Sequence, residues 1–324
     1  MSKRVLVVTL VMVLAVAMTM TVSGCGKAKY PSKNIDLIVG FGQGGGTDVF
    51  ARAIAPALKD ELKVNVGVID MPGASSATAM NEVEKRPADG YTVFMITSDM
   101  LTNDLMGRSQ YTYKDLIPII RAHTDIGLLQ TSGKGPIKTW QDFVDKCKAN
   151  PNKVTVAGIG AGSFDEQAVA ILMRSAGLTY KYVPYESAGE MHAATLGGKV
   201  DVMYAEPSHD LGLIKDGTMR VLISFTDKPV TQFQGVPSAG DLKLTVPPAI
   251  WRGAAVRKDT PQAIVDTLEK AFTAAYKSAA YQKFETDNAL NIYPGFQGSK
   301  DFAKSMAAEY EMYRTKLKEL GFIK

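Results

Sequence analysis

A glycine-rich turn between a buried strand and a helix is the feature that most constrains this fold. Residues 35–39 form an apolar run, and the turn at residues 40–48 contains several glycines before Thr47 and Asp48. A continuous apolar run of this length is typical of a strand in a parallel sheet that is covered on both faces. Because the first N–H groups of a helix have no acceptor inside the helix, the turn can bind an anion, such as a carboxylate. We expect Asp48 to cap the helix that follows.

The same arrangement recurs in the second half of the chain. Residues 154–157 predict a strand and residues 158–163 a second glycine turn, and Ser163 with Glu166 predicts a capping box at the next helix. Strands and helices alternate around both units, which favours an α/β fold with parallel sheets. Two such units indicate two α/β lobes facing each other across a cleft. In the first helix we expect Pro56 to interrupt the helix, since an interior proline costs about 3 kcal/mol.

The first residues are typical of an export signal. Charged residues precede an apolar run at residues 5–20, which is shorter than the ~20 residues that a membrane span needs. The following Val-Ser-Gly-Cys sequence resembles a bacterial lipobox. This resemblance implies that residues 1–24 are a lipoprotein signal peptide, that Cys25 becomes the lipid-modified N-terminus, and that residues 25–33 are a tether. An uncleaved membrane anchor is the alternative.

Composition and motifs exclude several classes of function. The formal net charge of +4 over 324 residues lies partly in the export signal, so nothing indicates nucleic-acid binding. The chain has no Gly-x-Ser-x-Gly nucleophile elbow, and we expect Cys147 to be a buried, unpaired thiol. The histidines are not spaced like metal ligands: His123, His192 and His209. We therefore expect no enzyme activity, no cofactor and no metal site.

Several blocks of sequence, taken in order, resemble the solute-binding receptors of tripartite tricarboxylate transporters, the Bug/TctC-like family. The blocks share their order with the family and lie at residues 30–35, 41–48, 51–52, 72–74, 89–92, 183–185 and 196–201, with Trp251 and Gly253. The likeness covers residues 30–324. It implies an α/β fold of the type II periplasmic-binding-protein kind, a Venus flytrap of two lobes with a hinge and an interlobe cleft. The implied lobes are residues 34–128 plus 248–324 and residues 129–247, with hinges near residues 122–131 and 248–253.

The resemblance also implies a function without catalysis. Such a receptor captures a small organic acid, for example a di- or tricarboxylate, and delivers it to integral membrane transporter subunits. We expect a monomer that is exported and lipid-anchored to the bacterial membrane, facing the periplasm or the cell exterior. The residues that the resemblance assigns to ligand binding lie on both lobes: Phe41, Gly44, Gly45, Thr47, Asp48, Thr97, Ser98, Gly162, Ser163, Tyr185, Ala205 and Glu206.

The chain departs from the family pattern at three places. Glycine stands at 40 and 42 where the family commonly has proline nearby, and Ser-Ser-Ala at residues 75–77 replaces the usual glycines and asparagine. Glu166 stands where the family often has a histidine, and the capping box explains this residue without a ligand contact. Two alternatives to the carboxylate receptor are a receptor of the same fold for an amino acid, with Glu206 pairing with an ammonium group, and an exported enzyme that binds a cofactor at the glycine turns.

Overall fold

Two mixed sheets and the helices around them make up the part of the chain that the structure describes. The structure is a computed structural model that describes residues 30–293 and 295–324, without the side chain of His209, and residues 33–324 form one compact unit. The predicted signal peptide and Cys25 lie outside the described residues. None of the helices within these ranges combines the length and the hydropathy of a membrane span.

The strands and helices follow one another along the whole described chain. The strands are β1 (Ile35–Val39), β2 (Val66–Asp70), β3 (Thr92–Thr97), β4 (Leu116–Asp125), β5 (Leu128–Ser132), β6 (Thr155–Ile159), β7 (Lys181–Tyr185), β8 (Val202–Ala205), β9 (Met219–Ser224), β10 (Ile250–Arg257) and β11 (Gln297–Gly298). The α-helices are α1 (Gly46–Leu62), α2 (Ala77–Val83), α3 (Met100–Asn103), α4 (Trp140–Ala149), α5 (Phe164–Ser175), α6 (Ala188–Leu196), α7 (Pro207–Lys215), α8 (Gln262–Tyr276), α9 (Ala279–Asp287) and α10 (Ser299–Leu320).

Each sheet mixes parallel and antiparallel pairs, so the prediction of parallel sheets was only partly right. The first sheet has the order β11-β4-β10-β3-β1-β2, and the second has the order β7-β6-β8-β5-β9. β1 runs parallel to β2 and β3, and β6 runs parallel to β7 and β8. β10 is antiparallel to both neighbours because it enters the first sheet on the way back from the second. β5 is antiparallel to β8 and β9.

The chain passes between the sheets twice. It leaves the first sheet through Ile126 and Gly127, between β4 and β5, and it returns between the end of β9 at Ser224 and the start of β10 at Ile250. At Gly127 an added Cβ would lie 2.5 Å from Cε2 of Tyr204, so only glycine fits the first crossing. Both crossings lie within or next to the segments predicted as hinges, and their movement stays a prediction.

Helix α1 is continuous through Pro56, so the predicted interruption was wrong. Pro56 lies on the exposed face, whereas Phe50, Ile54 and Leu58 are fully buried on the other. The carbonyl that loses its donor therefore faces water, and burial of about 1.5–3 kcal/mol per large apolar side chain holds the helix together. Cys147 is buried and unpaired, as predicted, and α10 buries Phe302, Met306, Tyr313 and Leu317 along one face.

The loop after β2 carries the second departure from the family pattern. Ala74, Ser75 and Ser76 all have positive φ, at 48°, 51° and 72°, in the left-handed region that glycine adopts without cost. The side chain of Asn103 donates to the carbonyl of Ser75 at 2.8 Å and helps to hold this conformation. The loop also explains Gly40, because a Cβ at that position would lie 2.3 Å from Cβ of Ser76.

Candidate functional site

A cavity lies where the carboxyl ends of parallel strands from both sheets meet. It measures about 580 Å³ with its mouth included. Its wall combines residues that follow β1, β3, β6, β7 and β8 with the first residues of β10, namely Phe41, Gly42, Gly45, Gly46, Thr47, Thr97, Asp99, Ile159, Asp165, Glu186, Ser187, Ala188, Met191, Tyr204, Ala205, Glu206, Ile250 and Arg252. The crevice at the carboxyl ends of the strands is the usual ligand site of open α/β sheets.

The residues assigned to ligand binding by family resemblance divide into two equal groups. Those that line the cavity are Phe41, Gly45, Thr47, Thr97, Ala205 and Glu206. Those that do not line it are Gly44, Asp48, Ser98, Gly162, Ser163 and Tyr185. Contacts within the protein account for the positions of the second group.

The N-terminus of α1 faces the cavity with free backbone donors. Gly45 is the N-cap, with an extended backbone, and Gly46 and Thr47 are the first two helical residues. Both are buried on the cavity wall. The N–H groups of these first positions have no acceptor inside the helix, and they stand at its positive end. This wall is therefore suited to an anionic group of a ligand.

Asp48 is not the N-cap of α1, so that prediction was wrong. It lies one turn further in, where its Oδ2 accepts a hydrogen bond from the N–H of Gly44 at 2.9 Å. Its Oδ1 lies 2.6 Å from Nε of Arg52, and the same guanidinium pairs with Asp70 through Nη2 at 2.9 Å. Asp48 thus ties the glycine turn to the helix and takes the N–H of Gly44 away from the cavity.

The second glycine turn is closed to an anion from outside. Asp99, which follows β3 of the first sheet, accepts a hydrogen bond on Oδ1 from the N–H of Phe164 at 2.9 Å. Phe164 is the first residue of α5, so a carboxylate of the protein itself occupies this helix N-terminus. The guanidinium of Arg108 donates to the carbonyl of Ala161 at 2.8 Å, and an added Cβ on Gly162 would lie 2.0 Å from its Nη2.

The predicted capping box at the start of α5 is only half formed. The hydroxyl of Ser163 accepts from the N–H of Glu166 at 3.4 Å, as expected of an N-cap. The carboxylate of Glu166 accepts from the N–H of Gly162 at 2.5 Å, one residue before the position that a capping box requires. Glu166 is therefore committed to the helix start, and it does not line the cavity.

Ser98 and Tyr185 support the cavity from outside its wall. Ser98 is fully buried, and its hydroxyl accepts a hydrogen bond from the N–H of Trp251 at 3.1 Å. Trp251 is also fixed through its indole N–H, which donates to Glu309 at 2.6 Å. The carbonyl of Tyr185 accepts from the N–H of Gly160 at 2.9 Å. These contacts hold β10 and the second glycine turn in place.

Arg252 is the cavity residue that sequence reasoning most clearly missed. It is 3% exposed on β10, directly opposite Thr97 at the end of β3. Its Nη2 lies 3.5 Å from Oε2 of Glu206, and its Nη1 lies 3.5 Å from Oδ2 of Asp125. Neither Nε nor Nη1 has a hydrogen-bond partner within the described residues. The sequence contained a sign of this role, because residue 252 is the one charged residue in the apolar stretch 249–256. A charge in a buried strand costs free energy unless it is paired or binds a ligand.

Acidic side chains from both lobes lie in the cavity wall or directly behind it. Asp165, on the first turn of α5, is 8% exposed, and burial raises its pKa well above the usual value. Burial likewise raises the pKa of Asp99, and it raises that of Asp125, behind Arg252, to about 7. Within the ranges that the structure covers, no three or more His, Cys, Asp and Glu side chains are grouped to hold a metal ion.

Two mixed α/β lobes with a cavity at their facing strand ends define a type II periplasmic binding protein. Residues 50–321 match a family model described as tripartite tricarboxylate transporter family receptor, and the chain belongs to this family. Its members and structural neighbours are solute-binding proteins, so the protein is a solute-binding receptor and not an enzyme.

Individual relatives agree with this assignment over nearly the whole chain. The protein BugT of Bordetella pertussis is 28% identical over 300 residues, which cover 90% of each chain. The crystal structure of a TctC solute-binding protein from Polaromonas is 26% identical, with a TM-score of 0.66, and covers 90% of this chain and 99% of its own. An R. palustris protein with adipate is 23% identical, with a TM-score of 0.81, and the match covers 90% of this chain and 98% of that one.

Proposed function

We propose that this protein captures a small carboxylate in the cavity and delivers it to the membrane subunits of a tripartite tricarboxylate transporter. The observation that carries the proposal is the N-terminus of α1, which places the buried backbones of Gly46 and Thr47 on the cavity wall. Backbone N–H groups at the positive end of a helix bind carboxylates without a bound cation. Family membership supports the delivery step, since these receptors work with a membrane transporter.

The solute contacts in this proposal come from the six cavity-lining residues of the original assignment. Phe41, Gly45, Thr47 and Thr97 contact the solute from the first lobe, and Ala205 and Glu206 contact it from the second. Ser98, Ser163 and Tyr185 act on the solute indirectly, through the strand and helix ends that they hold. The adipate in the R. palustris relative supports a small carboxylate as the class of solute.

Capture works through closure of two lobes, comprising residues 34–128 plus 248–324 and residues 129–247. Residues near 122–131 and 248–253 act as the hinges, as is usual in this architecture. Two arginines of the first lobe already meet the second lobe across the cleft: Arg108 at the carbonyl of Ala161 and Arg252 at the carboxylate of Glu206. Closure of the lobes then presents a surface to the transporter.

Export and anchoring complete the proposal. Membership in a family of periplasmic solute receptors implies an exported protein. In the proposal, Cys25 carries the lipid and residues 25–33 tether a monomeric receptor to the membrane.

A thermal-unfolding screen tests the solute class. A solute that binds only the folded state stabilises the protein by about 2.7 kcal/mol at a concentration of 100 times its Kd, which raises Tm by several degrees. We expect at least one small carboxylate to do so, and vesicles containing the transporter to take up that solute only when the receptor is added. A Tm that no small carboxylate changes contradicts the proposal.

A further inference from the structure

The cavity wall contains a buried guanidinium with unpaired donors and, on the other lobe, a buried carboxyl group. On the first lobe, Arg252 is 3% exposed, and its Nε and Nη1 find no acceptor within the described residues. Its neighbours Asp125 and Glu206 lie 3.5 Å away, beyond the 2.7–3.2 Å of a good N–H···O bond. A buried guanidinium with two unpaired N–H donors is suited to bind a planar anion such as a carboxylate.

Across the cleft, Asp165 offers the complementary charge. Its Oδ2 accepts from the N–H of Ile159 at 2.7 Å. The side chain is more than nine-tenths buried and lies on the cavity wall. Burial of an ionised carboxylate costs free energy, and a ligand that brings a cationic donor offsets that cost.

The charges on the cavity wall also favour a solute that carries a positive group. The wall carries the carboxyl groups of Asp99, Asp165, Glu186 and Glu206 against the single guanidinium of Arg252. Asp99 is committed to the N-terminus of α5 and to the hydroxyl of Thr97. A di- or tricarboxylate would bring more negative charge against Glu206, and like charges at short range repel. A solute with one positive group matches this wall better.

We propose that the solute is an amino carboxylate whose carboxylate lies between the N-terminus of α1 and Arg252 and whose ammonium group lies against Asp165. Both anion-binding features belong to the first lobe, and Asp165 and Glu206 belong to the second, so one zwitterion spans the cleft and joins the lobes. The apolar part of the wall, at Phe41, Ile159, Met191 and Ile250, suits an uncharged side chain. This inference rests on the proposed function, because it takes the carboxylate site at α1 as given.

Pairs of compounds that differ in the amino group alone test the inference in the unmodified protein. Titration calorimetry compares leucine with 4-methylpentanoate, norvaline with pentanoate, and glutamate with glutarate; adipate and malate complete the panel. We expect an amino carboxylate with an uncharged side chain to bind at least about tenfold more tightly than its deaminated partner, because the latter leaves Asp165 unpaired.

Asp165→Asn tests the assigned residue. The amide can still accept from the N–H of Ile159 through its oxygen, but it carries no charge. We expect the variant to lose at least about tenfold in affinity for the amino carboxylate and to change affinity for the deaminated compound less than about threefold. The matched control is Asp145→Asn on the exposed face of α4, which should change neither affinity.

Each outcome separates this inference from the proposed function. If the deaminated acids bind as tightly as their amino partners, the inference is wrong and the carboxylate receptor stands. If no compound of the panel binds, both are contradicted. If amino carboxylates are preferred equally by the protein and by Asp165→Asn, the preference does not come from Asp165 and the assignment is wrong. Should Asp165→Asn not fold, the comparison within compound pairs decides.

Discussion

Replacing Gly46 with proline removes one proposed anion donor and little else. Gly46 is the first helical residue of α1, where proline is favoured because its N–H is not used by the helix. The preceding residue, Gly45, has φ −70° and ψ 155°, a conformation that the residue before a proline adopts readily. The helix should therefore persist while the cavity loses the N–H of residue 46.

The expected loss of affinity follows from the kind of hydrogen bond that is removed. A hydrogen bond to a charged group contributes about 1.5–3 kcal/mol. At about 1.4 kcal/mol per tenfold change, Gly46→Pro should weaken binding of the carboxylate between about tenfold and about a hundredfold. Calorimetry with the carboxylate that gives the largest Tm shift measures this directly.

Gly46→Ala is the matched control. It adds a Cβ to the buried wall but keeps the N–H, so the difference between the two variants reports the loss of the donor together with the ring carbons Cγ and Cδ of proline. Circular dichroism and Tm confirm that both variants remain folded. Equal affinities of the proline and alanine variants would refute the assignment of the carboxylate to the N-terminus of α1.

Three further predictions concern the support of the site, the loop after β2 and the anchor. Ser98→Ala leaves the N–H of Trp251 without its acceptor inside the protein and should cost about 1–3 kcal/mol, seen as a Tm lower by several degrees; an unchanged Tm contradicts this role. Ala74→Gly relieves a left-handed φ at an exposed position and should stabilise the protein by about 1 kcal/mol in urea unfolding, whereas Ala57→Gly, on α1, should destabilise it. Cys25→Ser should move the protein from the membrane fraction to the soluble fraction; retention in the membrane fraction would favour an uncleaved anchor.

The local elements of the fold were predictable because they depend on short-range patterns. The apolar run at residues 35–39 and the glycines after it define β1 and the turn without reference to the rest of the chain. The stripe along α10 is predictable for the same reason, since spacings of four and seven residues place its buried side chains on the same face. The direction of β10 was not predictable from local patterns, because it depends on where the chain re-enters the first sheet.

The site itself depends on contacts between distant residues, and there sequence reasoning fell short. The second glycine turn looks like a free anion site in the sequence, yet Asp99, 65 residues earlier, fills its helix N-terminus. Arg252 and Asp165 are far apart in sequence, and only the packing of the two sheets brings them to one cavity. Asp48 was misplaced as a cap because glycine at 45 is itself an acceptable N-cap and leaves Asp48 to bond backward to Gly44.

A crystal structure of the protein with the carboxylate that stabilises it most tests the central claim most directly. We predict that the carboxylate oxygens lie about 3 Å from the backbone nitrogens of Gly46 and Thr47, inside the cavity that Arg252 and Asp165 line. A solute held elsewhere, or held in this cavity with its carboxylate turned away from the start of α1, would contradict the claim.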